Sequence, residues 1–170
     1  ECKKIAPLCY WFADPLITYT NEEFYQKTKI ADFFTCDKIN VFEVAKNINK
    51  NSFIVNDGYD RLLEYPKKLN KIYDLTFIGN LYGDRADKVK QLKRPLKIIN
   101  NAFGHLHSKA VAQSKINLNI CTSAGPSDRV FKVLGAGGFL LTDDWPDRSN
   151  FFEDGKDLVI YKDFNDLNEK

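Results

Sequence analysis

Two cations lie three residues apart at the start of a predicted helix. Ser127 is a residue type that favours the helix N-cap, because its hydroxyl can accept a hydrogen bond from a free N–H in the first turn. Arg129 and Lys132 follow it at a spacing that places both on one helix face. The first turn also offers unpaired N–H groups and the positive end of the helix dipole. We interpret this helix start as a phosphate or diphosphate site, with an exposed basic face as the alternative.

A glycine-bearing turn supplies a second set of candidate phosphate contacts. Gly79 and Asn80 follow a strand predicted over residues 74–79, and Gly83 lies in the same turn. Glycine lets the backbone approach a phosphate closely, which favours a phosphate-binding turn. An ordinary turn between a strand and a helix is an alternative of equal weight. Arg85 begins the next predicted helix. It could reach an anion, although by itself it favours a solvated helix face.

These candidates belong to a chain in which strands alternate with helices. The first part contains a strand–helix–strand unit, with strands over 30–36 and 52–55 and a helix over 37–48, and residues 58–70 resemble a linker. The second part has predicted strands over 74–79, 96–100, 116–121, 139–142 and 158–161, with helices that include 85–94 and 105–115. This alternation predicts an α/β fold with a parallel, doubly wound sheet.

The topology brings the candidates together. Ligands of open parallel sheets bind outside the carboxyl ends of the strands. That edge is expected to collect Gly79 with Asn80, the loop over 121–128, and Asp143 with Asp144. The helix that carries Arg129 and Lys132 begins at the same edge. The sequence therefore places its candidate anion contacts in one crevice.

Bulk composition excludes several classes of protein. The 170 residues carry a formal net charge of +2, which is too small to indicate binding to nucleic acid or to an anionic membrane. No apolar run approaches the roughly 20 residues of a transmembrane helix. The four cysteines form no Cys-x-x-Cys pair, which favours buried thiols in a reducing cytoplasm. The absence of methionine and the helical pattern over 164–170 predict a fragment of a longer protein.

Other catalytic patterns are missing. His105 and His107 have a spacing that suits a metal on a strand, but they fall in a helix or loop without a nearby cysteine or carboxylate. We therefore predict no metal site. The chain contains no Gly-x-Ser-x-Gly, no Walker loop and no His-Glu-x-x-His, so nothing indicates a covalent nucleophile.

Four stretches resemble, in the same order, the C-terminal signature of GT-B glycosyltransferases. They are YDLTFIGNLYGDR at 73–85, SKINLNI at 114–120, RVFKVLGAGGFLLTD at 129–143 and FFEDGKDLVIYKD at 151–163. The closest likeness is to the CgeB-like (spore-maturation protein) branch of the glycosyl transferases group 1. The resemblance covers residues 73–170 well and residues 1–72 loosely.

The resemblance implies a GT-B-like arrangement of Rossmann-type domains. Residues 1–72 would be the end of the N-terminal, acceptor-side domain plus a linker, and residues 73–170 a truncated nucleotide-sugar-binding domain. It implies a cytoplasmic enzyme that transfers a sugar from a nucleotide-sugar to an unknown glycan, protein or small-molecule acceptor, without a metal or another cofactor. The catalytic base is expected before the start of this chain, in which case the fragment alone is inactive.

The resemblance also adds two candidate residues and shows two departures. It implies that Lys115 contacts the donor, and the alternative is a lysine that neutralises a helix C-terminus. It also places Asp14 at the interdomain cleft as a candidate catalytic residue, and the alternative there is an Asp-Pro turn. Related enzymes usually have a ribose-binding glutamate where this chain has Lys132, and often another glutamate where it has Ala124. A lysine cannot accept hydrogen bonds from ribose hydroxyls. A degenerate, non-catalytic module that binds a nucleotide or a glycan is therefore the alternative function.

Overall fold

The computed structural model describes residues 5–13, 21–121 and 125–170. These residues fall into two compact units. The first takes in the described residues up to Asp57 together with Gly125, and the second takes in those from Gly58 onward except Gly125. The stretch over 58–72, which the sequence assigns to the first domain and its linker, groups with the second unit. The assignment of an acceptor domain and a donor domain stays a prediction.

The first unit is a small α/β layer built on a three-stranded parallel sheet in the order β1-β2-β3. Its strands are β1 (Cys9–Phe12), β2 (Phe33–Cys36) and β3 (Ser52–Ile54), and its helices are α1 (Glu22–Ile30) and α2 (Ile39–Ala45). Asn21 caps α1 by accepting a hydrogen bond from the N–H of Phe24 at 3.0 Å. Phe24 then packs with Phe12, Phe34 and Val41 in the core of this unit.

The second unit is a five-stranded sheet in the order β5-β4-β6-β7-β8, and every neighbouring pair is parallel. The strands are β4 (Tyr73–Ile78), β5 (Lys97–Ile99), β6 (Ser114–Asn119), β7 (Leu140–Thr142) and β8 (Val159–Ile160). The helices are α3 (Arg85–Val89), α4 (His105–Gln113), α5 (Asp128–Gly135) and α6 (Phe164–Glu169), with a 3₁₀ turn at Arg148–Asn150. The predicted α/β class with a parallel sheet is confirmed.

Helices cover both faces of this sheet. On one face, Ile78 packs with Val111 of α4 and with Val130 and Val133 of α5. On the other face, Phe77 packs in a separate cluster, which includes Leu167 of α6 and, at its margin, Val89 of α3. Successive residues of a strand point to opposite faces, which is why adjacent residues of β4 serve two cores. The sheet is therefore doubly wound, as the alternation of elements predicts.

The boundary between α4 and β6 differs from the sequence prediction. The helix predicted over 105–115 ends at Gln113, and Ser114 is already extended. The hydroxyl of Ser114 donates back to the carbonyl of Ala110 at 2.6 Å and accepts from the hydroxyl of Thr76 on β4 at 2.9 Å. These two side-chain hydrogen bonds connect Ser114, the first residue of β6, to α4 and to β4. Lys115 is therefore the second residue of a strand and does not end a helix.

A test of this packing is available at Gly138, just before β7. A Cβ at this position would lie closer than 3.0 Å to a methyl group of Val111 and 3.0 Å from Nδ2 of Asn117. We expect Gly138→Ala to lower the free energy of unfolding by about 1–3 kcal/mol, because it overpacks a filled core. Gly58→Ala is the matched control, since a Cβ there meets nothing within 4 Å. Equal midpoints of denaturant unfolding for the two variants would contradict the packing of α4 on the sheet.

Candidate functional site

Arg129 lies across the carboxyl edge of the sheet in the second unit. It is the second residue of α5, and only 8% of it is exposed. Its Nε donates to the carbonyl of Ile78 at the end of β4 at 2.7 Å, and its Nη1 donates to Oδ1 of Asn119 at the end of β6 at 2.8 Å. Its guanidinium lies 4.2 Å from the ring centre of Phe77. The alternative of an exposed basic face is therefore wrong for this residue.

Gly79 provides the space that Arg129 occupies. A Cβ at Gly79 would lie 2.5 Å from Nη2 of Arg129, and the φ of +138° is one that residues with side chains rarely adopt. The sequence predicts a glycine that lets the backbone approach a phosphate. In the structure, the group that approaches this glycine is the guanidinium, so the turn and the cation are parts of one arrangement.

Arg85 is buried, although the sequence by itself favours a solvated helix face for it. Only 2% of it is exposed. Its Nε donates to the carbonyl of Ile120 at 2.8 Å, and its guanidinium lies 4.6 Å from the ring centre of Tyr82 and 5.7 Å from that of Phe77. The reason is position: α3 begins at the carboxyl edge of the sheet, so this first residue folds back over the strand ends. The solvated-face interpretation is wrong.

Neither guanidinium forms an ion pair with a carboxylate in the part of the chain that the structure describes. Burial, followed by the charge of Arg85, lowers the pKa of Arg129 to about 10, while Asp128 acts in the opposite direction. The group is still a cation at neutral pH. Burying a charged group without a counter-ion costs free energy. Two such cations at one sheet edge make that edge suited to bind an anion.

Ser127 occupies the predicted N-cap of α5 but does not cap it with its side chain. No hydrogen bond reaches its hydroxyl from the first turn. The hydroxyl instead donates to Oδ1 of Asn119 at 3.0 Å, the same oxygen that accepts from Arg129. The amide of Asn119 in turn donates to the hydroxyl of Thr142 at 2.9 Å. Asn119 therefore holds the start of α5 and Arg129 against the strand ends, a role that sequence reasoning missed.

A cavity of about 200 Å³ opens beside Arg129. Four of the predicted contacts line it: Gly79, Asn80, Arg129 and Lys132. Its other charged residues are Glu64 and Asp128, and its uncharged titratable residues are His107 and Tyr82. Sequence reasoning missed Glu64 because it lies in the apparent linker, and it treated His107 only as a metal ligand. The first-turn position of Asp128, four residues before Lys132, was the one signal that could have indicated it.

Lys132 lines the cavity but is not free. Its ammonium donates to Oδ2 of Asp128 at 2.7 Å, one helical turn earlier. Burial acts to raise the pKa of Asp128, but the hydrogen bond from Lys132 and the charges of Lys132 and Arg129 outweigh it and hold that pKa below its usual value. The side chain of Lys132 is 31% exposed, so water screens this pair in part. A bound anion would compete with Asp128 for this cation.

Arg85 and Ser127 lie at the same sheet edge without lining this cavity, and Lys115 lies away from it. Lys115 lies at the amino end of β6, the opposite edge of the sheet, where its ammonium pairs with Oδ1 of Asp74 at 2.6 Å. A larger cavity of about 470 Å³ opens at that edge and is lined mainly by apolar residues that include Leu75 and Leu141. Asp14 lies outside the described residues. The structure therefore separates Lys115 from the other candidates.

Over 5–13, 21–121 and 125–170, no three histidine, cysteine or acidic side chains lie together in a way that could hold a metal ion. Over the same ranges, no helix has the length and apolar character needed to cross a bilayer.

A family model described as "Glycosyl transferase-like" matches residues 60–170, which include every charged residue of the cavity. No curated protein matches the chain.

Solved structures show where this fold occurs elsewhere. HepE from Anabaena, solved with UDP and glucose, is 13% identical, with a TM-score of 0.66 over 96% of this chain and 60% of that chain. The pneumococcal O-GlcNAc transferase GtfA, solved with UDP and GlcNAc, is 16% identical, with a TM-score of 0.56 over 87% of this chain and 38% of that chain. This chain therefore spans about three fifths of the HepE chain and less of GtfA. At these identities the likeness shows a shared fold.

Proposed function

The chain belongs to the glycosyl transferase-like family, and we propose that it takes part in sugar transfer from a nucleotide-sugar, whose diphosphate binds at the cavity beside Arg129. The observation that carries this proposal is the buried guanidinium of Arg129 in the cavity wall, which has no carboxylate partner among the described residues. Arg85, buried at the same sheet edge and likewise without such a partner, adds to the positive charge there. A diphosphate is the anion that a nucleotide-sugar would present at this edge. The UDP in the HepE and GtfA structures makes UDP a suitable probe.

The same cations support the chemistry of transfer. When the bond between the sugar and the diphosphate breaks, negative charge develops on the diphosphate oxygen. Arg129 is held in place by Ile78 and Asn119, so it needs little reorganisation to face that charge. The N–H groups at the start of α5 add their dipole. We propose that these fixed groups stabilise the leaving diphosphate without a divalent metal.

The test is calorimetry with UDP, uridine and pyrophosphate. We expect UDP to bind at least tenfold more tightly than uridine, because each charge-assisted hydrogen bond to the diphosphate is worth about 1.5–3 kcal/mol. Pyrophosphate should compete with UDP. Equal affinity for UDP and uridine would mean that the diphosphate is not recognised, and the proposal would fail.

A binding module without catalysis is the second candidate. It is favoured by Lys132, which stands where related enzymes usually have a ribose-binding glutamate and which pairs with Asp128. Both candidates require UDP binding. They differ in whether a longer chain that contains these residues releases UDP from a UDP-sugar in the presence of an acceptor.

A further inference from the structure

His107 lies in the wall of the anion cavity, on the first turn of α4. Only 5% of it is exposed. Neither ring nitrogen forms a hydrogen bond with any residue that the structure describes, and Nδ1 is closed off from solvent. Nε2 is not among the enclosed atoms. A buried imidazole without a partner, in a cavity lined by cations, indicates that a ligand atom completes its hydrogen bonding.

The surroundings of His107 favour a neutral ring. Burial, followed by the positive charge of Lys132, lowers the pKa of His107. Glu64 and Asp128 act in the opposite direction, and Arg129 adds to the lowering. Because Nδ1 is enclosed, a proton can be gained or lost only at Nε2, and we therefore place the single proton of the neutral ring on Nδ1. His107 then presents Nε2 to the cavity, and this nitrogen becomes an N–H donor when it is protonated.

The fixed charges of the cavity cancel. Arg129 and Lys132 contribute two positive charges, and Glu64 and Asp128 contribute two negative charges. Each negative group is already engaged: Asp128 pairs with Lys132, and Glu64 accepts a hydrogen bond from the N–H of Asp60 at 2.8 Å. Of the described residues that line the cavity, only His107 can add a positive charge near neutral pH.

The two ligands of the proposed reaction differ in charge. In a nucleotide-sugar, the second phosphate is a diester with one ionisable oxygen. After transfer it is a terminal phosphate, which gains a second ionisation with a pKa near 6, as phosphate monoesters have. The product therefore brings more negative charge into the cavity than the donor does. A titratable group in the cavity wall would therefore interact differently with the donor and with the product.

Building on the proposed function, we propose that His107 is a further ligand-binding residue, which donates a hydrogen bond to the terminal phosphate of the nucleoside diphosphate product and takes up a proton when that product fills the cavity. In the transfer step, the bond between the sugar carbon and the phosphate oxygen breaks, and its electron pair stays on that oxygen. The acceptor oxygen bonds to the sugar carbon and releases its proton to solvent. His107 takes its proton from solvent at Nε2, which is not enclosed, and the new N–H then donates to the phosphate.

The chain offers a matched control, because it contains only two histidines, His105 and His107. His105 is exposed, lies two residues away on the same helix and contacts the ring of Tyr65. NMR titration of the two imidazoles from pH 5 to 8, with and without saturating UDP, measures both at once. His105→Gln assigns the signals. We expect UDP to raise the pKa of His107 by about one unit or more and to leave that of His105 within about 0.3 units.

The affinity for UDP must depend on pH in the way that this change in the pKa of His107 requires. A group whose pKa is higher in the complex strengthens binding as the pH falls, with one unit worth at most tenfold. The terminal phosphate of UDP also titrates near pH 6, so the measure is a ratio between proteins. From pH 8 to pH 6, the affinity of the unmodified protein for UDP, divided by that of His107→Gln, should rise about three- to fivefold for a shift of one unit. The same ratio, calculated with His105→Gln in place of His107→Gln, should stay near one.

The outcomes separate this inference from the function on which it rests. If UDP binds but the pKa of His107 moves no more than that of His105, the inference is wrong and the diphosphate site stands. If UDP-glucose raises the pKa of His107 as much as UDP does, the preference for the terminal phosphate is wrong. If UDP does not bind, both proposals fail. Should His107→Gln fold poorly, the NMR titration of the unmodified protein decides alone.

Discussion

Replacement of Arg129 by alanine is expected to weaken UDP binding by about 1.5–3 kcal/mol, which is roughly 10- to 150-fold. The reason is that a guanidinium offers several N–H donors in a fixed plane, and two of those in Arg129 already bind Ile78 and Asn119. The remaining donors are available to a phosphate. Calorimetry at low ionic strength measures the loss directly.

The same substitution is expected to lower stability, and this requires its own measurement. Removal of the side chain leaves the carbonyl of Ile78 and Oδ1 of Asn119 without one of their donors, at a cost of about 1–3 kcal/mol. Binding is therefore compared at a temperature where unfolding curves show the variant to be folded. Arg129→Lys keeps the charge without the planar fork and should give an intermediate affinity. Arg94→Ala is the control, because Arg94 lines the cavity at the opposite edge of the sheet. If the folded Arg129→Ala variant binds UDP normally, the site is wrongly placed.

The charge reversal Lys132→Glu is expected to reduce UDP affinity on the order of 100-fold at low salt. It removes a cation from the cavity and places a carboxylate four residues from Asp128, so that two like charges face the phosphates. Added salt should reduce the effect, because the Lys132 side chain is 31% exposed. Titrations with UDP at two salt concentrations test both statements.

A closely matched control exists for this reversal. Lys88 pairs with Asp84 at the same spacing, at 2.7 Å and with the same 31% exposure as Lys132, but it does not line the cavity. Lys88→Glu should therefore leave UDP affinity unchanged. If Lys132→Glu instead preserves or improves binding, the position contacts ribose as in related enzymes, and the diphosphate is bound by other residues.

The sequence by itself determined the fold class and the edge of the sheet at which a ligand would bind. Alternation of apolar runs with helical patterns is a local property, and it predicts parallel strands joined by helices without knowledge of any contact. The rule that parallel sheets bind ligands at their carboxyl ends then brings together Gly79, Asn80 and Arg129, because each follows a predicted strand. The structure places all three at one cavity.

Only the tertiary structure decided how those residues are used. Burial depends on what packs over a side chain, so spacing could not tell that Arg85 folds back over the strand ends or that Arg129 crosses to β4. Side-chain partners from distant positions are equally invisible to a local pattern. Asn119, ten residues from Arg129, accepts the hydrogen bond of the Ser127 hydroxyl, which therefore does not cap α5. Lys115 pairs with Asp74, which is distant in sequence, at the opposite edge of the sheet. The environment of His107 follows from the same cause, since its charged neighbours Glu64 and Lys132 approach it only when the sheet is assembled.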